Sequence, residues 1–172
     1  ALAEAEVEYE DKKSDAIDVG FGMVDLNDLG QRIGVAVTAP TDIVIWTTTP
    51  WTLPANQAVA LHAEIDYQLV QVQSDRGTQN FILAKDLVES AIARYKLENP
   101  VVLADFKGAV LEHLSLQHPL LADRQVPVIL GEHVIATSGT GAVHTAPGHG
   151  ADDYKVGLIY NLKVDNPVGG NG

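Results

Sequence analysis

The segment GTGAVHTAPGHGADDY, residues 139–154, sets His144, His149, Asp152 and Asp153 among glycines and one proline. A turn needs Gly and Pro but has no use for so many ionisable groups. Asp152 and Asp153 fall in the first turn of an expected helix, where free backbone N–H groups and the helix dipole stabilise carboxylates. Capping and solvation account for Asp152. Asp153 can do the same, or can aim an ionised carboxylate into a cleft and bind an ammonium group; its type and position leave both open. His144 lies in an expected strand that runs straight into the glycine-rich turn. Residue type alone does not separate a core histidine from one that faces a ligand.

Other chemistries fit this segment less well. No Lys follows the glycines as a phosphate-cradling loop requires, and GTGAVH breaks the dinucleotide fingerprint at its third glycine. His144, His149 and Asp153 are residue types that bind zinc, but the two histidines stand five apart across Pro147 rather than on one helical face, and no third strong ligand is indicated. A Ser-His-Asp triad through Ser138 lacks the strand-to-helix elbow that exposes such a nucleophile.

A second segment, WTTTPWTLPAN at residues 46–56, carries both tryptophans. Thr47, Thr48 and Thr49 offer hydroxyls where regular pairing must stop, although Pro50 and Pro54 ending an edge strand would explain the pattern equally well. Trp51, between two prolines and off any regular strand, suits the wall of a cleft. His62, His113, His118 and His133 show no partner pattern and read as ordinary surface or core histidines.

The elements that must position these groups are mostly short strands. Residues 2–8 alternate apolar and acidic types, as an exposed ribbon strand would. Strands are expected at 17–26 (interrupted by Gly20 and Gly22), 43–47, 58–61, 101–106, 126–130, 133–136 and 142–145. The runs 67–73 and 79–83 flank SDRGT and form a hairpin signal. Residues 85–97 repeat apolar types at spacing four and predict a helix that stops before Pro100. A second, short helix after Gly150 would bury Tyr154, Leu158 and Ile159. These elements predict an α+β domain, a partly closed, barrel-like core of short strands with a few peripheral helices.

At 172 residues the chain fits one domain able to bury roughly 70% of its unfolded surface. No apolar run of about 18 residues and no leader pattern is visible, so no membrane partner is expected. Absent cysteines remove disulfides and thiolate metal sites and fit a reducing compartment. Ala1 is not Met and the tail NPVGGNG closes no element, so both ends are expected to be boundaries within a longer chain, with 1–15 and 166–172 as linkers. The net charge of −12, with 11 Lys and Arg scattered singly, argues against a surface that holds duplex nucleic acid by itself.

Taken together, WTTTPWTLPAN and GTGAVHTAPGHGADDY resemble the editing domain inserted into isoleucyl-tRNA synthetase, of the bacterial type. ALAEAEVEYED is similar to the strand leading into that insertion, and NPVGGNG to its return side. The valyl and leucyl enzymes share a Thr-Thr start and a final Asp-Tyr. They carry Arg-Pro where this chain has Thr49-Pro50 and an acidic residue at Trp51, and they lack the His at 144. The ATP-site signatures His-x-Gly-His and Lys-Met-Ser-Lys-Ser do not occur, so no amino-acid activation is expected.

The resemblance implies proofreading in the cytoplasm: hydrolysis of valine esterified to isoleucine tRNA, and of valyl-adenylate as a second candidate, with isoleucine too large to enter. A hydrophobic pocket separates Val from Ile by only ~1–3 kcal/mol, a limit for which the isoleucyl enzyme is itself the standard example. By the same resemblance Asp153 grips the α-ammonium group, and Thr47, Thr48 and Thr49 hold the ester and the terminal adenosine. Trp51 walls the amino-acid side chain, His144 limits its size and helps place the attacking water, and Asn56 supports editing in an unspecified way. The implied partners are the 3′ acceptor end of the tRNA and the remainder of the synthetase; no metal or other cofactor is expected in this domain. The competing expectation is a binding module that captures the acceptor end or the adenylate and leaves chemistry to the rest of the enzyme.

Overall fold

In the computed structural model, residues 16–162 are described. Among them run nine strands: β1 (Ile17–Met23), β2 (Thr41–Thr47), β3 (Ala58–Leu61), β4 (Asp66–Ser74), β5 (Gly77–Ala84), β6 (Val101–Lys107), β7 (Ser115–Gln117), β8 (Gln125–Leu130) and β9 (Val143–Thr145). Three α-helices accompany them, α1 (Leu26–Ile33), α2 (Val88–Arg94) and α3 (Ala151–Tyr160). The strands form one mixed sheet in the order β6-β4-β5-β2-β1-β7-β8-β3-β9. Pairs β2–β5 and β3–β8 are parallel and the remainder antiparallel. The α+β class holds. The sheet is not closed into a barrel, since β6 and β9 have no common ladder, but β9 returns against β2 and so bends the sheet around a cleft.

β2 is central, not an edge: β1 and β5 flank it. Its Ile43 and Ile45 enter the main core with Phe21, Leu61, Tyr67 and Leu116, while Val44 faces the opposite layer under Ala91 and Ile92 of α2. Burial on both faces explains the unbroken apolar run. The β4–β5 hairpin keeps register from Tyr67 opposite Ala84 to Ser74 opposite Gly77. Its two-residue turn ends at Gly77, with φ of +100°, a conformation that glycine adopts without Cβ strain.

Several sequence expectations change. Residues 17–26 are a strand only to Met23, and α1 follows unannounced, capped by Asp25 accepting from Asp28 N–H at 3.0 Å and ended by Gly34. The helix at 85–97 is a short 3₁₀ turn followed by α2, and Lys96, with φ of +60°, lies beyond its end. Residues 133–136 are not a strand: β8 already has β7 and β3 on its two sides, and the chain after it makes a turn in which Val134 N–H donates to Gly131 O. The short strand β7 had no counterpart in the sequence reading. α3 lies where a helix was expected but faces the other way: Val156 and Gly157 are buried, whereas Tyr154, Leu158 and Ile159 are 46%, 63% and 77% exposed. Gly157 explains the choice, since a Cβ there would lie 3.0 Å from Pro147 Cγ; the helix packs on its smallest residue. The expected strand at 2–8 and the linkers 1–15 and 166–172 lie outside the described residues. No helix among the described residues is long and apolar enough to cross a membrane.

Candidate functional site

Where β2 ends, Thr47 is buried and its Oγ1 accepts from Thr49 N–H at 3.0 Å, turning the chain so that Thr48 and Thr49 stand exposed. Pro50 then opens a 3₁₀ turn, Pro50–Ala55, rather than merely ending a strand. Thr52 ties this turn down: its N–H and its hydroxyl both donate to Thr49 O, at 3.0 and 2.8 Å. Trp51 projects from the turn with 61% of its surface exposed.

The second segment reaches the same place from the other side. Gly141, with φ of +85°, brings the backbone so close to Ala84 that a side chain there would collide, and Tyr67 O–H donates to its carbonyl at 2.6 Å. β9 then carries His144 opposite Val59, and the turn Pro147–His149 leads into α3. Asp152 and Asp153 occupy the first turn of α3; Asp152 is exposed and Asp153 half-buried. Asp153 Oδ2 accepts from Ala146 N–H at 2.9 Å, and Oδ1 has no hydrogen bond among the described residues. Burial raises the Asp153 pKa, against the Ala146 N–H and the neighbouring His133 and His149, which lower it.

The two segments line one cleft of about 490 Å³, in which Thr47, Thr48, Thr49, Trp51, His144 and Asp153 converge. Asn56 does not line it. This residue is fully buried behind His144, with Nδ2 2.7 Å from His144 Nδ1. On the other ring nitrogen, His144 Nε2 lies 2.7 Å from Thr52 Oγ1. Burial, with smaller contributions from His118 and His149, lowers the His144 pKa to about 4, so the ring is uncharged at neutral pH. A smaller cleft of about 390 Å³ beside Asp18, Asp42 and Tyr95 holds none of these residues.

The cleft also recruits groups that the sequence reading left aside. Thr52 and Thr140 add hydroxyls, Trp46 and Ile135 add apolar wall, and His149 lines the cleft with a buried Nε2 that has no partner among the described residues. Thr52 was legible, standing three residues after Thr49 in a turn-forming sequence; Ile135 had no signal. His118 is a core residue that fastens the 3₁₀ turn, donating from Nε2 to Leu53 O at 2.8 Å and accepting at Nδ1 from Leu120 N–H. His144, His149 and Asp153 are not arranged as a metal site; among the described residues no group of three or more His, Cys, Asp or Glu is.

Known proteins share this arrangement of chain. The family model for the leucyl-tRNA synthetase editing domain matches residues 27–171. An isoleucine–tRNA ligase from Acinetobacter baylyi is 94% identical over 172 residues, all of this chain and 18% of that protein. One from Thiobacillus denitrificans is 62% identical over 174 residues, again covering 100% of this chain and 18% of the relative. The chain thus spans about a fifth of the length of these curated relatives. Among solved structures, the cytosolic leucyl-tRNA synthetase editing domain of P. knowlesi superposes with a TM-score of 0.72 at 12% identity, over 87% of this chain and 67% of that one. The corresponding P. falciparum domain gives 0.69 at 10% identity, over 87% and 70%. At such identities the structural likeness establishes the fold, while the family match over 27–171 decides membership: the chain belongs to the family of synthetase editing domains, in the sequence form found in isoleucine–tRNA ligases.

Proposed function

We propose that the cleft hydrolyses the aminoacyl ester of valyl-tRNA(Ile), with valyl-adenylate as a second substrate, and excludes isoleucine. The observation that carries this reading is the convergence of a half-buried carboxylate, three consecutive threonines, a tryptophan and a neutral histidine in one cleft. Asp153, with Oδ1 unengaged among the described residues, takes the substrate ammonium group through a charge-assisted hydrogen bond. Thr47, Thr48 and Thr49 hold the ester and the terminal adenosine. Trp51 and His144 bound the space left for the amino-acid side chain, and Asn56 acts through His144. A water oxygen attacks the ester carbonyl and the bond to the ribose oxygen breaks. That oxygen takes a proton as valine leaves, while hydroxyl and backbone donors stabilise the developing oxyanion. No step needs a metal or other cofactor.

The acidic chain fits a narrow task. It meets only the single-stranded acceptor end, and the remainder of the synthetase supplies the phosphate contacts, working in the cytoplasm. The test is deacylation of pre-formed Val-tRNA(Ile) beside Ile-tRNA(Ile), with and without a chelator. Chelator-insensitive cleavage of the valyl ester alone is expected. Cleavage of neither ester at high protein concentration would overturn the proposal and leave a binding module.

A further inference from the structure

Hydrogen-bond directions around His144 are fixed from the Asn56 end of the ring. Thr52 Oγ1 has one hydrogen and two acceptors beside it, Thr49 O at 2.8 Å and His144 Nε2 at 2.7 Å, so the tautomer of the ring decides which of them receives it. At the other end Asn56 Nδ2 donates to Ala58 O at 2.9 Å. Turning the amide over would set its oxygen against that carbonyl, so the nitrogen's second hydrogen points at His144 Nδ1, which must be a bare acceptor. Nε2 of the neutral ring then carries the hydrogen and donates to Thr52 Oγ1, whose own hydrogen goes to Thr49 O.

Resting on the proposed reading of the cleft, we infer that Asn56 and Thr52 lock His144 in its neutral Nε2–H tautomer, so that His144 is an uncharged wall that neither takes nor gives a proton during hydrolysis. Both of its nitrogens are engaged, and neither has a lone pair or hydrogen left for the attacking water. An imidazolium would turn an Nδ1–H onto the Asn56 amide hydrogens. The other titratable groups near the ring, His118 and His149, oppose its protonation as well. Asn56 is therefore a positioning residue, which explains why a buried Asn that does not line the cleft belongs to the site.

Long-range proton–nitrogen NMR on the 172-residue chain labelled with ¹⁵N-histidine tests this directly. Between about pH 5.5 and 8.5 His144 should show one bare and one protonated nitrogen, with the proton on Nε2. An Nδ1–H ring or an imidazolium in that range overturns the lock. In Asn56→Asp a carboxylate oxygen replaces the Nδ2 donor, which should raise the His144 pKa into that range. It should also slow Val-tRNA(Ile) hydrolysis about ten-fold or more, with a new pH dependence. A folded Asn56→Asp chain with unchanged tautomer and pH profile overturns the proposal. Should that variant fail to fold, the wild-type spectrum alone decides. If the tautomer is found but the chain cleaves no ester, the lock stands and only the reading of the cleft falls.

Discussion

Replacing Asp153 with Asn and, separately, with Ala divides the two duties of this side chain. One duty is structural: Oδ2 accepts from Ala146 N–H at 2.9 Å, and Ala146 is 1% exposed, so that donor has no route to water. An Asn carbonyl oxygen can occupy the same position and keep the bond, whereas Ala leaves the N–H unpaired at a cost of about 1–3 kcal/mol. The other duty belongs to the proposed function: the charge presented to the substrate ammonium group. A hydrogen bond to a charged partner contributes about 1.5–3 kcal/mol, so losing it should lower kcat/KM for Val-tRNA(Ile) about 10- to 150-fold. Asp153→Asn should thus lose hydrolysis at nearly unchanged stability, and Asp153→Ala should lose both. Deacylation kinetics and urea unfolding of the two variants give the two readings. Wild-type kcat/KM in Asp153→Asn would refute the ammonium role, and equal destabilisation by the two substitutions would refute the division of duties.

Burial holds the His144 pKa near about 4, below its ordinary 6.5, so the native state binds fewer protons than the unfolded chain as pH falls. Stability from this residue is complete above pH 6.5 and drains away toward pH 4, a loss of about 3 kcal/mol that urea unfolding across this range should show and His144→Gln should abolish. Tyr67→Phe removes the O–H that donates to Gly141 O and accepts from His62 N–H inside the core; a cost of about 1–3 kcal/mol is expected in the same assay. Leu158→Ser and Ile159→Ser, on the exposed face of α3, should each shift stability by no more than about 0.5 kcal/mol; a larger loss would mean that these residues belong to the core after all.

What the sequence disclosed follows the physics of each element. β3, the β4–β5 hairpin and β8 were legible because alternation or continuous burial leaves a periodic trace over several residues, and the turn at Gly77 needs the residue it has. α1 was missed although Leu26, Leu29 and Ile33 stand at helical spacing and pack on the core, and Asp25 and Gly34 mark its two caps; eight residues repeat that spacing only briefly, and Leu26 was read as the end of the preceding strand. α3 was found as a helix but turned the wrong way: an amphipathic pattern assumes that large apolar residues face the core, and here Gly157 and Pro147 fit closely instead. In the cleft, the residue types of Thr47–Thr49, Trp51, His144 and Asp153 drew attention on chemical grounds. Their convergence depends on β9 meeting β2 across a bent sheet, which no local pattern encodes. Asn56 stands for the rest: its importance lies in two hydrogen bonds to partners two and 88 positions away.

Size selection in the proposed function demands a wall that does not yield, and the tethering of His144 bears on that demand. An extra methylene forced into packed surroundings costs about 1–3 kcal/mol only if those surroundings cannot shift; a side chain free to rotate would give way and forfeit the discrimination. His144 is held at both ring nitrogens, by Thr52 from the 3₁₀ turn and by Asn56 from its end, and the turn is itself fastened by Thr52 donating to Thr49 O and by His118 donating to Leu53 O. Rotation of the imidazole would break two buried hydrogen bonds at once. A charged ring would lose its bond from the Asn56 amide, and it would attract water and counter-ions into the space meant for an apolar side chain. Neutrality and rigidity thus have one cause, the paired bonds on the ring. Asp153, the one carboxylate lining the cleft among the described residues, would in the proposed function orient the substrate by its ammonium group and turn its side chain toward a wall that measures it.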